Sequence, residues 1–413
     1  MVEHLSKNMA TVKVRSELPM LRIPVSLIVD DWTVGYMGES GKLEFRRTYE
    51  FLMDFLSLGA MGVRGKLSLV PCIVKSRECS YELLGCIDEG IKGLPRNVLL
   101  EILNLVKAEA VKYFDITPEM LTHTLAIDVD ANRLLDEMEW EWSQRQDLET
   151  LTKYIARALR ILRRVGIKAS GVTSPCDFGR EVEGIYARAI LEAEKQVNGI
   201  KLTWYFLHVE YGKKRVTPRL MYLKDEEAVV SIVSCSEDYL GKPKVAKAGG
   251  DPYRLADNWI TSDGRKGRLV ELYKNRAYLI FHTHWWNVHR EEDKIGFEAL
   301  KETVSRINRL LGDGIIWMKC SEIARYFATL KAFKFEEFKK NGEVKLVFKT
   351  PFSCKNFTIS LETDRHIKEM KADGKPLKRI DKQFLEPNSW TEADEKVYAC
   401  FDLSNGTILE LAF

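Results

Sequence analysis

Between about residues 21 and 332 the chain alternates short apolar runs with segments of helical period, and that alternation confines it to folds built on a parallel sheet. The apolar runs fall at 23–29, 66–74, 121–129, 167–172, 202–209, 228–235 and 277–281, with a last one opening at Gly314. Helical patterns lie between them. The first places Phe51, Leu52, Phe55 and Leu58 on one face, and the second opens at Pro95 and continues to about Phe114. Seven or eight such units favour an irregular (β/α) barrel over an open doubly wound sheet. The first run lacks a glycine-rich fingerprint, which removes the main support for a dinucleotide fold.

After about Ala332 the texture changes. Val344-Lys345-Leu346-Val347-Phe348, Phe357-Thr358-Ile359-Ser360-Leu361, Val397-Tyr398-Ala399-Cys400-Phe401 and Thr407-Ile408-Leu409-Glu410-Leu411 alternate or run apolar between turn residues. Residues 1–332 are therefore expected as the barrel, and 333–413 as a small antiparallel, β-sandwich-like domain. The Gly-, Lys- and Asp-rich stretch 242–263 reads as a long loop over the barrel mouth.

Composition excludes several classes. Lys and Arg total 63 against 60 acidic residues, a net charge of +3 with no basic tail or stripe, so nucleic acid is not an expected partner. The first residues carry Glu3, Lys7, Lys13 and Arg15 without an apolar core, and no run approaches the roughly 20 apolar residues of a membrane span. A cytoplasmic location follows as the expectation. The eight cysteines contain no CxxC pair, against a zinc knuckle or a disulfide-rich scaffold, and most are expected as small core residues.

In a parallel barrel the strand ends share one face, where chemistry collects. The first run ends in Asp30 and Asp31, followed by Trp32. One carboxylate could bind a cation while the other handles a proton, although Asp also caps turns. Later runs contribute His123, Asp177, His208, Glu210, Glu237, Asp238, His282 and His284 at or near their ends. Trp285 and Trp286 follow directly and could stack on sugar rings or pack beneath a helix.

Asp30-Asp31, Thr122-His123-Thr124, the Ser174-Pro175 turn and Leu279-Ile280-Phe281-His282 together resemble the ordered motifs of the polysaccharide deacetylases of the NodB-homology type, over about Leu21 to Ala328. The resemblance implies a metal-dependent hydrolase that removes N- or O-acetyl groups from a carbohydrate. It makes Asp30 the base, Asp31 and His123 ligands of a divalent zinc, cobalt or nickel ion, and His282 or His284 the acid. Trp32, Asp177, His208, Glu210, Trp285 and Trp286 are candidate substrate contacts. Two departures stand out. Ile127 occupies the family's second His position, leaving Asp128, Glu141 or His284 to complete the metal site, and Thr173-Ser174-Pro175-Cys176 lacks the Arg that orients the base. The alternative is a carbohydrate-binding or glycoside hydrolase relative without the deacetylase metal site.

Overall fold

The computed structural model describes residues 12–38, 41–77, 80–290, 294–340 and 343–413. The chain is a mixed α/β protein in which seven parallel strands carry the site: β1 (Ile23–Trp32), β2 (Gly65–Leu69), β3 (Phe114–Pro118), β4 (Gly171–Thr173), β5 (Leu202–Val209), β6 (Glu227–Ser234) and β7 (Leu279–His284). They form two sheets, ordered β7-β1-β2-β3 and β4-β5-β6, and the short strand Ile315–Trp317 also pairs with the start of β1. No continuous ladder joins the sheets among the described residues. Across one seam the Thr117 and Thr173 hydroxyls share a hydrogen bond of 2.9 Å, and across the other the Cys235 N–H donates to the Ile280 carbonyl at 2.6 Å. The antiparallel strand Arg219–Lys224 occupies the first part of the free β6 edge, so β7 meets only its end.

Strand alternation sorts the side chains into two populations. Val25, Leu27 and Val29 of β1, with Leu67, Ile116, Val172, Tyr205, Val229 and Phe281, point outward into a core shared with the surrounding helices. Ser26, Ile28 and Asp30 point the other way, in register with Lys66 of β2 and with Ile280 and His282 of β7. Both faces are covered, which is why the runs read as nearly continuous apolar segments. The helix Cys320–Ala332 closes the amino-terminal end of this interior. Its Ser321 N–H and hydroxyl donate to the Asp115 carboxylate at 2.7 and 2.8 Å, and its Cys320 sulfur lies 3.5 Å from the Ser26 hydroxyl. Ile28, Trp204, Phe206 and Ile280 thereby join one apolar cluster with Phe348, Phe357 and Trp390 of the tail.

The tail folds as two five-stranded, largely antiparallel sheets. One of them contains Val12–Ser16, paired antiparallel with Cys354–Thr363 from Val12 opposite Thr363 to Ser16 opposite Ile359. The expectation that residues 1–332 form one unit does not hold for Val12–Ser16, which belongs to the tail sheet. Its Val-Lys-Val-Arg alternation suits an edge position with one buried face.

Other expectations also need correction. The third strand is Phe114–Pro118, not 121–129, and Leu125–Asp128 instead forms a two-stranded hairpin with Arg133–Met138. The second run stops at Leu69, and Cys72–Arg77 turns into a hairpin with Ser80–Cys86. Cys72 and Cys86 face each other there and form a disulfide, whereas Cys235, Cys320, Cys354 and Cys400 are buried free thiols. The stretch 242–263 contains the short helices Lys242–Lys247 and Pro252–Ala256, the second opened by Asp251 accepting from the Tyr253 N–H. Among the described residues no helix is long and apolar enough to cross a membrane.

Deleting residues 1–16 would strip the edge from Cys354–Thr363 and remove the buried Val12 side chain. The expected outcome is a lower melting temperature and concentration-dependent aggregation, measured by differential scanning calorimetry and light scattering. A shortened protein that melts like the full chain would show that the strand contributes nothing.

Candidate functional site

The end of β1 separates two adjacent carboxylates. Asp31 takes a left-handed backbone conformation, φ 65°, and the pairing with β2 shifts register between Val29 and Trp32. Asp30 therefore stays buried in the interior while Asp31 swings to the mouth. The Lys66 ammonium, with no exposed surface, forms an ion pair with Asp30, donates to the Thr173 hydroxyl and lies 5.1 Å above the Phe206 ring. A lysine on β2 thus supplies the cation beside Asp30 that no Arg before Pro175 provides.

The third donor at the mouth comes from Glu119, which directly follows β3. It is buried, accepts from the Asp31 N–H at 2.6 Å and also accepts from the Ser68 hydroxyl. Four residues later His123, with φ 55°, places Nε2 at 3.1 Å from Asp31 Oδ1 and 3.6 Å from Glu119 Oε1. One potential ligand atom from each of Asp31, Glu119 and His123 lies within 4.8 Å of the others. The loop carrying His123 is fastened by a fourth group, the buried carboxylate of Glu139. It accepts from the N–H groups of Leu121, Thr122 and His123 at 2.8, 3.0 and 2.8 Å and from the Tyr154 hydroxyl at 2.5 Å.

Burial opposes ionisation of Asp31, yet its hydrogen bond to His123 and the charges of His123 and His284 hold the carboxyl down at about 2. Burial, reinforced by Asp31 and Asp30, pushes Glu119 up to about 8. His123 is raised to about 11, because Asp31 and Glu119 outweigh the burial that disfavours its cation. Two carboxylates and an imidazole form a nitrogen-and-oxygen donor set suited to a divalent cation. Their ligand atoms converge within 4.8 Å, so these residues fit a metal ion.

On the β7 side, His282 and His284 have different settings. His282 is buried, its Nδ1 sits 2.8 Å from the Ser234 hydroxyl, and burial lowers its pKa. His284 Nδ1 lies 2.7 Å from Asp238 Oδ2. Asp238 also accepts from the His284 N–H at 3.1 Å, the Thr283 hydroxyl at 2.9 Å and the Asn287 amide at 2.8 Å. Burial opposes both charges, but the pairing drives His284 to about 10 and Asp238 to about 2. His284 stands opposite Asp30 in the pairing of β7 with β1, next to Asp31, which puts the two halves on one mouth.

Several candidate residues lie elsewhere. Trp32 is fully buried, its indole N–H donating to the Thr48 carbonyl at 3.2 Å, and is a core residue. Asp128 caps its own turn by accepting from the Asp130 and Ala131 N–H groups, and Glu141 is exposed on the short helix Glu139–Ser143, so neither joins Asp31, Glu119 and His123. Asp177 is exposed and paired with Arg180 at 2.8 Å. His208 binds Glu183 of the helix Glu183–Asn198 at 2.7 Å, and Glu210 pairs with Lys213 at 2.7 Å and with Arg219. Trp285 is buried, whereas Trp286 remains 36% exposed beside it. Lys66, Glu119 and Glu139 were absent from the sequence-derived set. Only Glu119 carried a usable signal, its spacing of four from His123.

Lys66→Met leaves the buried Asp30 carboxylate without its cation, an expected loss of about 3–5 kcal/mol in denaturant unfolding. Adding Asp30→Asn should recover part of that loss, and a double variant as weak as the summed single variants would refute the pairing. For His284, a folded pKa of about 10 against an ordinary 6.5 gives stability that is complete below about 6.5 and lost as pH rises through about 10. Asp238, held at about 2 against 3.8, contributes above 3.8 and loses its contribution as pH falls through about 2. In Asp238→Asn the His284 titration, followed by proton NMR of the imidazole, should fall toward the ordinary range.

No family model matches the chain, and no curated protein matches it. Among solved structures it is similar to the lactam utilization protein of Thermus thermophilus, at 14% identity and TM-score 0.34 over 72% of this chain and 100% of that one. A glycoside hydrolase family 30 subfamily 8 xylanase of Clostridium acetobutylicum overlaps at 11% identity and TM-score 0.29, covering 98% of each chain. The α-fucosidase of Thermotoga maritima overlaps at 10% identity and TM-score 0.27, covering 96% and 97%. These overlaps are too loose to assign a family, and the chemistry is read from the chain's own residues.

Proposed function

We propose that this protein is a metal-assisted hydrolase that removes acetyl groups from a carbohydrate, built on an irregular barrel of the polysaccharide deacetylase type. The observation that carries it is the convergence of Asp31, Glu119 and His123 at the end of β1, on the mouth that also holds the His284–Asp238 pair. Glu119 stands in for the ligand that Ile127 cannot provide. A divalent zinc, cobalt or nickel ion held by these three residues would polarise an acyl carbonyl and acidify a water.

The remaining steps belong to the protein's own groups. Asp30, anchored through Oδ1 by Lys66, takes the proton of the attacking water. His284, charged at neutral pH through its bond to Asp238, donates a proton to the leaving amine or alcohol. His282, buried and with a lowered pKa, suits that acid role less well and serves as a neutral hydrogen-bonding group beside Asp30. A specific observation favours a second reading: Asp31 at about 2 and Glu119 at about 8 are split as a glycosidase base and acid are. Their ligand atoms within 4.8 Å leave less room than the about 5–5.5 Å between carboxyl groups in retaining enzymes.

Metal content and acetate release on N-acetylated chito-oligosaccharides and O-acetylated sugars, with zinc, cobalt or nickel, separate the two. Stoichiometric metal lost in Asp31→Ala, Glu119→Ala and His123→Ala is expected, with turnover reduced about 10²–10⁴-fold in Asp30→Asn. Because Glu119 and His123 both hold protons at pH 7, loading should release protons and tighten as pH rises, read by calorimetry in buffers of different ionisation enthalpy. Sugar cleavage insensitive to chelators, without acetate, would establish the glycosidase reading.

A further inference from the structure

The segments leaving the two site strands build a second feature beside the mouth. Tyr36 lies five residues beyond Asp31, and Trp285 and Trp286 follow His284 directly. Their rings pack against one another, with centroids 5.6 Å apart for Tyr36 and Trp285, 4.8 Å for Tyr36 and Trp286, and 4.1 Å for the two tryptophans. Into this group reaches Arg47, from the first turn of the helix Arg46–Ala60. Its guanidinium carbon stands 5.9, 5.6 and 5.4 Å from the ring centroids of Tyr36, Trp285 and Trp286.

Cation–π contact satisfies the charge only from the ring faces and leaves the N–H groups in the guanidinium plane to find acceptors. Arg47 Nε is buried without a hydrogen-bond partner, and so is the Trp285 indole nitrogen. Among the described residues no carboxylate lies within ion-pair distance of Arg47, although its neighbour Arg46 pairs with Glu50 at 2.8 Å. The nearby Glu44 accepts instead from the Tyr36 hydroxyl, at 2.9 Å. Arg47 also contacts the Tyr36 hydroxyl, but it has no carboxylate partner among the described residues. An arginine fixed in this way by aromatic rings matches a planar carboxylate ligand, and the exposed part of Trp286 offers an apolar surface for the ring that carries it.

We infer that Arg47, Tyr36 and Trp286 form a subsite for a carboxylated sugar residue, so that the substrate is an acidic, acetylated oligosaccharide such as one containing uronic acids. This specificity rests on the carbohydrate reading proposed above. Carboxylate binding by the guanidinium fork discriminates against neutral sugars, because a neutral hydroxymethyl group in the same place cannot match the arginine's charge.

The test is equilibrium binding of a hyaluronan tetrasaccharide and of its carboxyl-reduced, neutral counterpart to the metal-loaded protein by isothermal titration calorimetry, with acetate measured in the same samples. The wild type should prefer the acidic sugar by about tenfold or more. Arg47→Met should lose that preference while keeping the neutral sugar's affinity, and Arg47→Lys should retain part of it. Equal affinities in the wild type, a preference that survives in Arg47→Met, or binding of neither sugar would overturn the subsite. Acetate released from neutral oligosaccharides without any acidic preference would leave the hydrolase standing and remove the subsite. Arg47-dependent binding of the acidic sugar, with no acetate from any substrate, would do the reverse.

Discussion

A lysine ammonium with no exposed surface sets the terms for the interior. Lys66 sits where the inward faces of both sheets meet, and its ion pair with Asp30 and bond to Thr173 tie β1, β2 and β4 together. Burying two charges is costly, and such a pair often contributes less to stability than apolar packing of the same volume. Its value here is positional. The pair fixes the end of β1, so that Asp31, one residue later, can adopt the left-handed turn that delivers it to Glu119 and His123.

The mouth is a set of carboxylates and imidazoles whose pKa values are driven apart. Asp31 and Asp238 are held at about 2, Glu119 rises to about 8, and His123 and His284 rise to about 11 and 10. Each shift has a charged neighbour among its causes, and the pairs Asp31–His123 and Asp238–His284 each join groups from different strand ends. Glu139 collects the N–H groups of the loop that presents His123. The site is thus supported from behind by a hydrogen-bonded carboxylate, not by apolar packing alone.

Much of this fold was legible in the sequence because strands covered on both faces produce apolar runs, as Val25 to Val29 and Val229 to Val233 do. The third strand was lost where that rule fails. In Phe114-Asp115-Ile116-Thr117-Pro118 the polar residues face an interior lined by Lys66 and Thr173, and alternation of this kind looks like a solvent face. Misplacing that strand hid Glu119, which follows its last residue, and shifted attention to Asp128 and Glu141. Lys66 opened the second apolar run but showed no sign of its role, because a charged residue at the start of a strand ordinarily reaches solvent. Asp30, Asp31, His123 and His284 were recoverable because strand ends carry chemistry irrespective of the details of pairing. The partner of Val12–Ser16 was not, since pattern reveals a strand's faces but not which distant strand lies beside it.

That distant partnership orders events during synthesis. Val12 pairs with Thr363, so the first described strand leaves the ribosome long before its partner exists. At about 5–20 residues per second the wait is on the order of tens of seconds. Throughout it, the helix Cys320–Ala332 and its seal on the floor of the sheets' interior are also unmade, and the inward residues Ser26, Ile28 and Asp115 lack their cover. Completion of the interior and capture of the first strand therefore both wait for segments translated long after β1. A nascent chain stalled before that point would present an open floor and an unpaired edge together, the combination that chaperones are suited to recognise.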